Sequence, residues 1–69
     1  MLIVKIIKID GTETIREVKS ITLRPDNVPP TVQVVSPGDA VEELYGVGCY
    51  FVMNEDGRTV AQWRHPEFA

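Results

Sequence analysis

Cys49 and His65 are the only cysteine and the only histidine of the chain, so nucleophilic or metal chemistry of the usual kinds would have to be built around them. A thiolate attack would need His65 as base, a third group to orient the imidazole and a cleft for the substrate. A zinc site of Cys/His type would need carboxylates to complete its ligands, and no acidic residue stands at such a spacing. Cys49, set between Gly48 and Tyr50 in an apolar run, reads instead as a small buried hydrophobe.

The remaining candidates carry no stronger chemistry. Glu42-Glu43 and Glu55-Asp56 are acidic neighbours, but adjacent turn residues both face water, whereas catalytic carboxylates need unequal, partly buried surroundings. Gly46-Val47-Gly48 lacks the third glycine and the helix of a dinucleotide fingerprint, and there is no Walker loop. Tyr50 reads first as a ring covered by a second sheet or by the Leu44/Tyr45 turn, with an interface anchor and a stacking platform for bases as the alternatives. No catalytic, cofactor or metal residue is therefore assigned, and the chain is not expected to be an enzyme.

Bulk properties narrow the class further. Sixty-nine residues make one domain, residues 1–69, too small for a large enclosed active site. With 43% hydrophobic and 25% charged residues the composition is that of an ordinary globular protein. The apolar run at Met1 to Val4 is cut by Lys5, so neither a spanning helix nor a secretory signal is expected. A single cysteine rules out an intramolecular disulfide and fits a reducing cytoplasm. A formal charge of −3, with scattered basic residues, does not suit a dedicated nucleic-acid binder.

The elements that must position these residues read as strands. Asp10-Gly11, between LIVKIIKI and the following run, signals a hairpin with a two-residue type I′ turn. In the first strand, outward placement of both Lys5 and Lys8 calls for a bulge at Ile6-Ile7; the alternative is a central strand that is apolar on both faces. TETIREVKSITL reads as one strand, because β-branched residues outweigh a weak helical period. Pro25 ends it, and RPDNVPP is a loop. Thr31 to Val35 alternates as a third strand, stopped by the turn Ser36 to Asp39. Asp39 can then cap a short helical turn over Val41, Leu44 and Tyr45, ended by Gly46.

The last hairpin is signalled by Asn54-Glu55-Asp56-Gly57, which suits a three-residue loop with Gly57 in the left-handed region. That loop predicts the pairs Val52 with Val60, Phe51 with Ala61, and Cys49 with Trp63. One face then carries Cys49, Phe51, Met53, Ala61 and Trp63 and belongs in the core. The other carries Tyr50, Val52, Asn54, Arg58, Val60 and Gln62, a mixed set of which Tyr50, Val52, Arg58, Val60 and Gln62 are the candidate interface. The fold expected is all-β: about five short strands in a small open barrel or meander, with two hairpins and at most one short helical turn.

The segment Trp63-Arg64-His65-Pro66-Glu67-Phe68 resembles the engineered streptavidin-affinity peptides, which carry Trp, one variable residue, then His-Pro-Gln-Phe or His-Pro-Glu-Phe. Arg64 matches the older form of that tag. The chain departs from the common form in lacking a Gly/Ser linker before Trp63 and in ending at Ala69 without Glu-Lys. Two origins stay open, a native coincidence and an abbreviated or fused tag; under the second, residues 65–69 say nothing of biology. The resemblance implies streptavidin contact by Trp63, His65, Pro66, Glu67 and Phe68. YFVMNEDGRTVAQW is faintly similar to terminal hairpins of small uncharacterised bacterial and phage-encoded proteins, and it transfers no site residue.

A chain without site chemistry can still act by covering a partner's surface. The function expected is a non-enzymatic protein-binding module, such as a phage- or mobile-element-encoded inhibitor or adaptor, without cofactor. So small a core also predicts a homodimer. The alternative is a small single-stranded nucleic-acid module of OB-like or SH3-like shape, with Tyr50 as its platform.

Overall fold

The computed structural model describes residues 2–24, 26 and 30–66. These residues are all-β, in seven short strands without a helix: β1 (Leu2–Lys8), β2 (Glu13–Val18), β3 (Ser20–Arg24), β4 (Thr31–Val35), β5 (Val41–Tyr45), β6 (Val47–Met53) and β7 (Thr59–Arg64). They form two antiparallel sheets, ordered β2-β1-β6-β7 and β3-β4-β5. Ladder hydrogen bonding does not close them into a barrel, in keeping with the open arrangement expected.

Two corners join the sheets. At Lys19 the chain leaves the first sheet for the second, and the Lys19 N–H donates to the Val35 carbonyl at 2.6 Å. At Gly46, with φ 70°, it returns from β5 to β6. The N–H groups of Gly46 and Val47 donate there to the Pro30 carbonyl at 3.0 and 3.3 Å. TETIREVKSITL is thus two strands rather than one, because its halves pair with different partners. Pro30, at the end of the RPDNVPP loop, is buried; Pro25, Asn27, Val28 and Pro29 of that loop lie outside the described residues.

Three hairpins share one turn design. In residues 8–12, 36–40 and 54–58 the first residue's carbonyl accepts from the N–H three residues on, at 2.9, 2.9 and 3.0 Å. The first residue's own N–H donates to the carbonyl four residues on, at 2.9, 2.8 and 2.9 Å. The fourth position is left-handed in each case: Gly11 at φ 92°, Asp39 at 67° and Gly57 at 80°. This is a type I turn closed by a left-handed residue, one of the common hairpin links. It was expected at Gly57. At Asp10-Gly11 it replaces the expected type I′ turn, since Asp10 does not take positive φ and its carboxylate instead accepts the Thr12 N–H at 2.9 Å. Asp39 stands where the other two turns have glycine, a conformation that Asp tolerates better than most residues.

The expected helical turn after Asp39 is overturned, because Val41 to Tyr45 is β5, paired along its length with β4. A five-residue helix closes too few internal hydrogen bonds to compete with a neighbouring strand. The supposed apolar stripe does not share a side, for Leu44 is buried while Val41 and Tyr45 are exposed. Tyr45 Oη donates to the Glu43 carboxylate at 2.6 Å.

The core lies between the sheets. Val4, Ile6, Val18, Val47 and Val52 come from the first and Val32, Val34 and Leu44 from the second, with Leu2, Ile21, Leu23, Tyr50 and Trp63 packed against them. Burial of each such side chain contributes about 1.5–3 kcal/mol. β1 runs centrally between β2 and β6 in regular register with β2, so its two faces are both apolar and no bulge falls at Ile6-Ile7. Lys5 and Lys8 point to opposite faces. The irregularity falls on the partner strand, where Gly48 is the extra residue between Cys49, paired with Ile7, and Val47, paired with Lys8.

The last hairpin differs from expectation by one residue. Met53 pairs with Thr59, but Val52 pairs with Ala61, Phe51 with Gln62, Tyr50 with Trp63 and Cys49 with Arg64. Val60 is therefore a bulge, and a one-residue slip exchanges the faces of everything beyond it. The bulge turns Trp63 inward, where its ring stacks on Tyr50 with centroids 6.3 Å apart. A straight register would have left Trp63 opposite Cys49 on the outer face, so burial of the largest side chain decides the slip. Deleting Val60 should accordingly close the bulge and keep the faces, changing stability by no more than about 1 kcal/mol in a urea melt. Collapse of the fold on that deletion would mean that the ladder runs straight.

Candidate binding face

The register lays out the outer face of the four-stranded sheet as three rows across β2, β1, β6 and β7. They are Glu17-Ile3-Met53-Thr59, Ile15-Lys5-Phe51-Gln62 and Glu13-Ile7-Cys49-Arg64. The two central strands therefore carry Ile3, Ile7, Cys49, Phe51 and Met53 around a single cation, Lys5. The second sheet covers the other face of this sheet. Ile3 is 36% and Ile15 58% exposed, while Ile7, Phe51 and Met53 are half-buried.

Charge sits at the flanks. β2 presents Glu13 and Glu17 on this face, and β7 presents Arg64. Lys5 Nζ reaches Glu13 Oε1 at 3.2 Å across the β1-β2 ladder, an exposed pair of small energetic weight. A shallow cavity of about 340 Å³ follows the β6-β7 side of the face, lined by Cys49, Phe51, Gln62, Trp63 and Arg64. Cys49 itself is 2% exposed. It was expected to be buried, but opposite Trp63; it lies instead opposite Arg64. A thiol reagent should label the folded protein much more slowly than the protein in denaturant, since attack requires an opened state. Equal rates would contradict its placement.

The residues expected to form an interface are not brought together. Tyr50 and Val52 turn inward, with Val52 at 2% exposure and the Tyr50 phenol raised above its ordinary pKa by burial. Gln62 lies on the outer face beside Phe51, Arg58 closes the 54–58 turn, and Val60 is the bulge, 55% exposed. The physical reason for this division is the bulge itself. Phe51 and Met53, expected in the core, are the outer-face residues that sequence reasoning misplaced. The clue available was that β1 is apolar on both faces, which requires a second surface to be apolar too.

In the tail, Trp63 is held by Tyr50 on one side and meets the His65 ring edge-on at 6.0 Å. The His65 N–H donates to the Gly48 carbonyl at 2.7 Å, carrying the ladder one residue past β7, and Pro66 follows. Glu67 and Phe68, the last two residues of the tag-like motif, lie outside the described residues. Elsewhere the titrating groups sit in local surface contacts: Asp10 is lowered by the Thr12 amide, and Tyr45 is raised by its bond to Glu43. Among the described residues no three His, Cys, Asp or Glu side chains gather as a metal site, and no helix is long and apolar enough to cross a membrane.

Comparison with models of protein families, with characterised proteins and with solved structures finds no match to this chain, so that a functional reading rests on the geometry of this face.

Proposed function

We propose that the chain is a non-enzymatic protein-binding module, an inhibitor or adaptor that acts by laying the outer face of its four-stranded sheet on a partner. The observation that carries this is the apolar stripe Ile3, Ile7, Phe51 and Met53 at the centre of a face that the second sheet leaves uncovered. A hydrophobic centre rimmed by charge is the usual anatomy of a protein contact. Phe51 is the natural anchor, as aromatic residues bury large area at small entropic cost.

A single-stranded nucleic-acid surface has less support. Tyr50, the ring suited to stacking, faces the core and is covered by Trp63, and the central cation Lys5 is paired with Glu13. Affinity enrichment from a native lysate with the wild-type chain and with Phe51→Glu tests the reading. Partners retained by the first and lost by the second are expected; identical sets from two folded proteins would overturn it.

A further inference from the structure

We infer that the occupant of this face is a second copy of the chain, stacked sheet on sheet about a two-fold axis that lies between the copies and runs parallel to the strands. The inference rests on the protein-contact reading above and deepens it by naming the partner. Its basis is the distribution of charge across the rows. A two-fold axis along the strands reverses strand order while preserving the rows, so β2 of one copy covers β7 of the other and β1 covers β6. Glu13 then meets Arg64 of the second copy, twice by symmetry. Ile3 meets Met53, and Lys5 lies over the Phe51 ring, where a cation is attracted to the aromatic face; Ile7 lies over the row of Cys49, which is already buried within its own chain.

The other face-to-face two-fold axis, across the strands, is disfavoured by the same pattern. It preserves strand order and reverses the rows, bringing Glu13 over Glu17 of the second copy at both ends of β2. Like charges opposed at an interface disfavour that arrangement. The face is therefore self-complementary in one orientation and self-repelling in the other. Aligned sheets stack in this way in sandwiches, about 10 Å apart. Four strands by six residues give a face of roughly 19 Å by roughly 20 Å. Two such faces enclose roughly 760 Å² of projected area, below the range of stable specific interfaces, which places the dimer in a weak, transient class.

Sedimentation equilibrium from micromolar to millimolar chain tests the inference, with charge exchange as its signature. Wild type should dimerise with a micromolar to submillimolar Kd. Glu13→Arg alone and Arg64→Glu alone should each weaken association about tenfold, because each opposes like charges at two symmetric positions, and the double exchange should restore it to within about threefold. Thermal melts of each variant separate lost association from lost fold. A wild-type monomer throughout the range, or a double exchange no better than the single ones, would overturn the dimer. If the wild type stays monomeric while Phe51→Glu still abolishes capture of another protein, only the self-association falls. If Phe51→Glu changes neither, the protein-contact reading falls with it.

Discussion

Val52→Lys is expected to leave no folded protein at room temperature, whereas Phe51→Lys, one residue earlier, is expected to fold. Val52 is 2% exposed and sits between the sheets among Val4, Val47 and Val32. No acidic side chain belongs to that cluster. An ammonium placed there loses its hydration without gaining a partner, a cost of several kcal/mol even after relaxation. A 69-residue domain has a total stability of roughly 3–10 kcal/mol at the usual value per residue, so the substitution removes most or all of it. Phe51 lies on the opposite face, where a longer side chain can carry its charge to the rim. Far-ultraviolet dichroism and a urea melt of both variants check the contrast. A folded Val52→Lys beside an unfolded Phe51→Lys would exchange the two faces.

The second large effect is at Ile6. Its side chain is 0% exposed, at the centre of β1 and in contact range of both neighbouring strands, with Thr14 opposite on β2 and Tyr50 opposite on β6. Ile6→Ala should cost about 2–5 kcal/mol, combining lost burial with the cavity left behind. Ile7→Ala, on the outer face of the same strand, should cost about 1 kcal/mol in the monomer, as for an ordinary partly exposed site. The melt would be read as a change in midpoint at constant slope. Equal losses at the two positions would mean that both faces are equally packed within one chain.

Local chemistry made part of this legible in the sequence. Asp10-Gly11 and Asp56-Gly57 marked two hairpins because glycine supplies the left-handed position cheaply, and Thr31 to Val35 announced β4 by β-branched alternation. The all-β class followed from these. What stayed hidden was decided by partners distant in the chain. The break at Lys19 exists because Val18 and Ser20 belong to different sheets. Val41 to Tyr45 became a strand because β4 offered it a ladder, outweighing a weak helical pattern. The bulge at Val60 has no signature of its own; it exists because Trp63 gains more by stacking on Tyr50 than by facing outward. That single slip moved Tyr50 and Val52 from the expected interface into the core and brought Phe51 and Met53 to the surface, which is why the candidate site was misread while the fold class was not.

The same slip bears on the tail. The resemblance to streptavidin-affinity peptides implies contact through Trp63, and Trp63 is engaged inside β7 and against Tyr50. Whether the His65 to Phe68 motif is native or added, the folded chain is therefore expected not to be retained on a streptavidin column.

The most direct test of the proposed binding face is the concentration dependence of backbone amide resonances in an isotope-labelled chain. Dilution from millimolar to low micromolar should shift Ile3, Lys5, Glu13, Phe51, Met53 and Arg64 together along one binding curve, while Val32, Val34 and Leu44 of the second sheet stay fixed. Shifts confined to β3 and β5, the edges of the three-stranded sheet, or no shifts at any position, would contradict self-association through the outer face.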